Sequence, residues 1–208
     1  VAREVIRAGR EAAGRRDIRC TVSIGGFVPK PHTPFQWAAQ LDAVETDRRL
    51  ALLRDDIRAD RDYGRAIGFR YHDGQPGIIE GLLARGDRRV ADVIETMWRS
   101  GGRFDGWSEH FSYARWADAA EMVWHDSPLS LEWFTTRERP FDEVLPWQHL
   151  DSGLEAEWLW QDWRDALAGD EVGDCRWTPC SQCGVCDQMD TVIQIGPFSP
   201  NRPHESPA

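Results

Sequence analysis

Lysine is almost missing from this 208-residue chain. Of 25 basic residues, 24 are arginine, and the one lysine is Lys30. A coding preference for arginine explains the background, so a lysine kept at position 30 hints that an ammonium suits that place better than a guanidinium. Long apolar runs are missing too. None approaches the roughly 20 residues of a membrane-spanning helix, and no signal-peptide pattern leads the chain. The expectation is a soluble, cytoplasmic protein without a membrane partner. The first residue is Val1, already inside a helical pattern, which points to a fragment of something longer. Positive charge is scarce where nucleic acid would need it. Residues 1–140 carry 22 charges of each sign, whereas thirteen acids face three arginines from Phe141 onward. Such a segment repels a phosphate backbone, which argues against direct nucleic-acid binding.

What is present suits a globular chain, with 41% hydrophobic and 11% aromatic residues. VAREVIRAGREAAG sets Val1, Val5, Ala8 and Ala12 on one helical face. RCTVSI then alternates, with Cys20, Val22 and Ile24 on one side, and Gly25-Gly26 ends the strand. A helix closely followed by a strand is a unit of an α/β sheet or barrel, whose ligands bind beyond the strand's carboxyl end. The segment in that place is GGFVPKPHTPFQW. Pro29, Pro31 and Pro34 stiffen it. Phe35 and Trp37 are expected to anchor it on the barrel body. It can present Lys30, His32, Thr33 and Gln36 to a ligand, and a rigid connector is the competing reading.

Further on, a long helix is expected on Leu41, Val44, Leu52 or Leu53, and Ile57, then a short strand in IGFRYHD. A helix over 87–99 follows, with Asp87 as cap and Val90, Val93, Ile94, Met97 and Trp98 on one stripe. The Arg85-Gly86-Asp87 tripeptide reads as a helix start rather than an adhesion motif. Another helix is expected from Ser108 to Trp124, and a last one in LEAEWLWQDWRDALAG with Trp160, Trp163 and Leu167 on one side. The eleven tryptophans read mainly as packing residues. The end of the chain, PFSPNRPHESPA, reads as a disordered tail.

Four of five cysteines fall in CRWTPCSQCGVC: Cys175, Cys180, Cys183 and Cys186. Four soft ligands in one short loop suit zinc or an iron–sulfur cluster, and the crowding of three at two-residue gaps favours the cluster. Disulfides are disfavoured without a secretion signal. Cys20 reads as core.

SIGGFVPKPHTPFQWAAQ, EGLLARGDRRVADVI, GGRFDGWSE, LPWQHLDSG and the cysteine-rich end together span roughly residues 20–187. On these stretches the chain resembles the C-terminal portion of radical S-adenosylmethionine proteins of the cobalamin-binding-domain type, a bacterial family. The resemblance implies an α/β (or α+β) fragment. Residues 1–40 would be the last helix–strand unit of a partial barrel, and 41–170 a mainly helical domain. Residues 171–190 would form the cysteine-rich metal or cluster loop, and 191–208 the tail.

The resemblance also implies an enzyme that reductively cleaves S-adenosylmethionine with a four-iron four-sulfur cluster, fed by an electron donor. Cobalamin would be bound by an upstream domain. The substrate stays open, with RNA or a ribosomal component as a guess, and no catalytic residue is assigned. Gly25, Gly26 and Phe27 would let backbone approach the cofactor or substrate, and Lys30 and His32 would contact a carboxylate or phosphate. The family's Cys-x3-Cys-x2-Cys loop does not occur here, so Cys180, Cys183 and Cys186 are not mapped onto it and this chain alone is not expected to be active. The alternative is a non-catalytic interaction module with structural zinc on the four cysteines.

Overall fold

The computed structural model describes Val1–Ile193, so the expected tail lies outside the described residues from position 194 onward. The chain forms two units, and they are not consecutive blocks. Unit 1 holds Val1–Pro29 and Ala39–Glu138. Unit 2 holds Lys30–Ala38 and the chain from Arg139. The division therefore differs from the sequential one expected, because nine residues of the proline-rich loop belong with the second unit. The class is mixed and helix-rich with one small sheet, as expected for α+β.

Unit 1 opens with helix α1, Ala2–Ala13, which stops at Gly14 in the left-handed region. Its buried position is Ile6, while Val1 and Val5 are exposed, so the packed stripe is not the one through Val1 and Val5. Gly9 explains the choice: a Cβ there would meet the Ile18 side chain at 3.1 Å, so the glycine face is the packed one. Strand β1, Cys20–Ile24, keeps the expected alternation, and Cys20 is half-buried rather than core. Strand β2, Ile67–Tyr71, pairs with it in parallel, Cys20 against Ile67 and Ile24 against Tyr71. Parallel strands need a crossover, and it contains helix α2, Ala43–Ala59. Asp42 caps α2 by accepting from the Glu45 amide at 2.7 Å. Of its apolar residues Leu50 is buried, whereas Val44, Leu52 and Leu53 stay exposed, against expectation.

The centre of unit 1 is helix α3, Gly74–Arg85, which the periodicity did not reveal. Its opening GQPG reads as a turn, and its apolar residues point several ways because it is packed on several sides. Ile78, Ile79 and Leu82 meet helices α4 (Val90–Arg99), α5 (Tyr113–Trp124) and α6 (Leu131–Thr135) in one core. Each such buried side chain contributes roughly 1.5–3 kcal/mol of transfer free energy. Helix α4 buries Val90, Val93 and Met97 but leaves Ile94 and Trp98 exposed. Helix α5 is capped by Ser112 rather than Ser108. Arg85 is fully buried and donates from Nη1 to the Thr135 carbonyl at 2.7 Å, so Arg85-Gly86-Asp87 is a helix junction.

Unit 2 packs Trp37, Ala38, Leu145 and Trp147 against helix α7, Ala156–Ala168, through Leu159 and Trp163. Leu167 of α7 is exposed, against expectation. The loop is anchored here, not on the strands: Phe35 meets Trp163 edge-on at 5.6 Å, and Trp37 meets Trp160 at 5.0 Å. Short helix α8, Val185–Gln188, follows the cysteine turns. Among the described residues no helix is long and apolar enough to cross a membrane.

The start of α3 lies so close to α2 that a Cβ at Gly74 would stand 2.5 Å from the Ala43 carbonyl oxygen. Backbone on both sides leaves nothing flexible to yield. Gly74→Ala is expected to cost about 1–3 kcal/mol in urea unfolding. Gly106→Ala, where a Cβ meets nothing within 4 Å, is expected to stay within about 0.5 kcal/mol.

Candidate functional site

The carboxyl ends of β1 and β2 open onto a cavity of about 680 Å³ in unit 1. Ile24, Gly25, Gly26 and Phe27 continue β1 into it, and His72, Asp73 and Gly74 continue β2. Leu41, Leu50, Leu53 and Pro76 give it apolar walls, with Phe27 about half exposed at 52%. Gly25 and Gly26, like Gly106 on the same cavity, have open surroundings. Neither has a positive φ, and a Cβ on either would meet nothing within 4 Å. Neither turn geometry nor packing inside this chain therefore calls for glycine, and bare backbone faces a ligand-sized space.

The polar groups of this cavity are held from below. Asp105 accepts from the Trp116 indole through Oδ2 at 3.1 Å, and its buried Oδ1 has no hydrogen-bond partner in the chain. An acceptor buried without a partner costs about 1–3 kcal/mol, so this oxygen is ready for a ligand donor or a water. Gly74 donates to Asp47 Oδ1 at 2.7 Å, so the start of α3 already has its carboxylate. Arg49 at the rim donates to Glu45 at 2.7 Å. Hydrogen bonds from Arg48 first and Arg49 next hold the Glu45 carboxyl down to about 2.

Lys30 and Thr33 line neither this cavity nor the one in unit 2. They close a turn on each other, with the Thr33 hydroxyl donating to the Lys30 carbonyl at 2.8 Å. His32 and Gln36 line a cavity of about 510 Å³ in unit 2. The site expected from one loop is therefore divided: Gly25–Phe27 serve unit 1, His32 and Gln36 serve unit 2. Thr46, Arg49, His72, Asp73 and Asp105 were missed. His72 and Asp73 could have been found, since they follow β2 as Gly25–Phe27 follow β1. No family model matches this chain, and neither a curated protein nor a solved structure matches it.

The four cysteines of the loop are free thiols. The Gln182 amide donates to Cys180 Sγ at 3.3 Å, with Gln182 and Gly184 both left-handed, so Cys180–Gly184 is a tight sulfur-centred turn. It is docked on the start of α7. Glu155 donates its amide to the Cys183 carbonyl at 3.1 Å, the Trp158 indole donates to the Ser181 carbonyl at 2.8 Å, and Gln188 bonds the Glu155 carboxylate. Burial pushes the Cys186 thiol up, and the charges of Cys183, Cys180 and Cys175 add to it, so the four sulfurs sense one another. Among the described residues, no three His, Cys, Asp or Glu side chains are disposed to hold a metal ion together.

Two outcomes are expected. The folded Glu45 carboxyl ionises far below its ordinary range, so its ion pairs are intact above that range and fade as pH falls toward about 2. An NMR titration is expected to place its midpoint there, and Arg49→Ala to move it upward. In unit 2, Gln36 Oε1 accepts from the Trp147 indole at 2.7 Å and from the His32 amide at 3.2 Å. Gln36→Leu strands a buried indole N–H and is expected to cost about 1–3 kcal/mol by urea unfolding.

Proposed function

We propose that this chain is part of a radical S-adenosylmethionine enzyme, in which β1, α2 and β2 belong to the partial barrel and the strand-end cavity receives S-adenosylmethionine or the substrate. The observation that carries the reading is Gly25-Gly26. Two glycines without an internal reason sit where backbone meets a ligand-sized cavity at the ends of parallel strands. What these residues do is bind and orient. The bare Gly25-Gly26 backbone allows close approach, Phe27 offers a ring face, Asp105 Oδ1 an acceptor and Arg49 a cation at the rim.

The initiating cluster is a separate matter. Cys20 is the sole thiol of unit 1, and the Cys-x3-Cys-x2-Cys spacing occurs nowhere in the sequence. The residues present do not fit that cluster, and no step of cofactor cleavage is assigned to them. The donor chemistry of Cys175, Cys180, Cys183 and Cys186 does fit a thiolate-bound iron–sulfur cluster or zinc. A bound cluster would supply one-electron transfer there. A second reading, a non-catalytic module with structural zinc, is favoured by the docking of the Cys180–Gly184 turn on α7. In that reading metal binding holds a loop already tied to a helix.

The glycines give the test, because the fold does not depend on them. Gly25→Ala and Gly26→Ala are expected to leave thermal stability unchanged or slightly raised. In the intact enzyme they should slow 5′-deoxyadenosine formation from S-adenosylmethionine at least about tenfold by displacing the bound ligand. Unchanged formation in both variants overturns the reading. Iron with sulfide in anaerobically purified chain supports the cluster at the cysteine loop, and stoichiometric zinc supports the module.

A further inference from the structure

The cavity of unit 2 is a different chemical environment from the strand-end cavity, and nothing above uses it. Its about 510 Å³ lies in the range of small-ligand sites. Asp142, Asp151 and Glu157 line it, with Glu143 as a fourth carboxylate, and no lysine or arginine does. Its indole and phenyl rings are Trp37, Phe141 and Trp147, with the imidazoles of His32 and His149 beside them. We propose that this cavity binds an organic cation, a protonated amine or guanidinium carried on a carbon chain. The inference is independent of the reading of unit 1.

Three further observations support that choice of chemistry. Unit 2 already holds one cation in this way. The Arg139 guanidinium, 1% exposed, stands 5.5 Å over the Trp147 ring and 3.8 Å from Glu143. An aromatic face beside carboxylates attracts a desolvated cation of the same kind. Secondly, thirteen Asp and Glu in unit 2 face Lys30 and four arginines, so the field of the unit draws cations toward it. Thirdly, the lining residue Trp37 is 2% exposed and its indole Nε1 has no hydrogen-bond partner. A buried donor in that state is met by an oxygen acceptor carried on the same carbon chain as the cation, which a bare metal ion does not bring. No three His, Cys, Asp or Glu side chains among the described residues are disposed to hold an inorganic ion.

At the edge, the site is set by the fold. His32 lines the cavity with φ of 54°, a left-handed conformation that non-glycine residues seldom take. Its amide is held by Gln36 Oε1, the same oxygen that receives the Trp147 indole. One buried amide thus fixes the backbone of one wall and the ring of another.

The probe is N-acetyl-L-arginine amide, which carries a guanidinium and carbonyl oxygens. The control is N-acetyl-L-citrulline amide, of nearly the same shape with a neutral urea. Titrations of the full chain are followed by the indole N–H signals in ¹⁵N–¹H NMR at low salt. The arginine compound is expected to shift the Trp37 indole signal saturably, and the citrulline compound to bind at least about tenfold more weakly. Asp142→Asn with Glu157→Gln should bring the arginine affinity down to the citrulline level with an unchanged far-ultraviolet spectrum. Asp165→Asn with Asp170→Asn, on the same unit but off the cavity, should leave it unaltered. Equal affinity for the two compounds, a motionless Trp37 signal, or equal losses in the two double variants would each overturn the proposal.

Discussion

Two glutamines four residues apart decide how this chain is organised. Gln36 is buried in unit 2, where its carbonyl oxygen joins the Trp147 indole to the His32 amide. Gln40 is buried in unit 1, where its amide nitrogens bond the Thr135 and Gly77 carbonyls. Between them Trp37 enters one core and Ala39 begins the return to the other unit. A buried amide is costly unless its hydrogen bonds are made; Gln36 and the nitrogens of Gln40 meet that demand and pin their ends of the segment, while Gln40 Oε1 is buried without a partner. The strand-end glycines and the residues from Lys30 onward are thereby separated into different units although only a few positions apart.

That separation reshapes the chemistry of the proline-rich loop. Its prolines do stiffen it, but the stiffness serves the aromatic core of unit 2 through Phe35 and Trp37. The part available to a ligand in unit 1 is the short stretch before it, Gly25 to Phe27, joined by residues after β2 and along α2. The cysteine loop belongs to unit 2 and is tied to α7 through backbone and indole hydrogen bonds. The strand-end cavity and the thiols thus occupy separate units, and each has its own reading.

How much of this could be read from residues alone depends on the element. The strands were legible because Cys20–Ile24 and Ile67–Tyr71 alternate and end in glycine or in His72-Asp73-Gly74, and period two survives half-burial. The helices were located better than their faces. Helix α1 packs through Gly9 and Ile6, and a residue without a side chain is invisible to any apolar count. Helix α3 went unseen because its glycines serve close approach, Gly74 to Ala43 and Gly81 to the Gln40 side chain. The same residues read in isolation as breakers. In the site, Gly25–Phe27 were legible from the rule about strand ends. Asp105 was not, since its role rests on Trp116 eleven residues away. The assignment of Trp37 to a second core was likewise beyond local pattern, because its partners lie more than a hundred residues further on.

The proposed reading of unit 1 requires that its ligand be bound by the backbone after β1 and not by the Lys30 turn. Backbone ¹⁵N–¹H spectra of the chain, recorded while S-adenosylmethionine is added, test it directly. The Gly25, Gly26 and Phe27 amides are expected to shift together with those of His72 and Asp73, while Lys30 and Thr33 stay in place. Movement confined to Lys30 and Thr33, with the glycine signals unchanged, would contradict it.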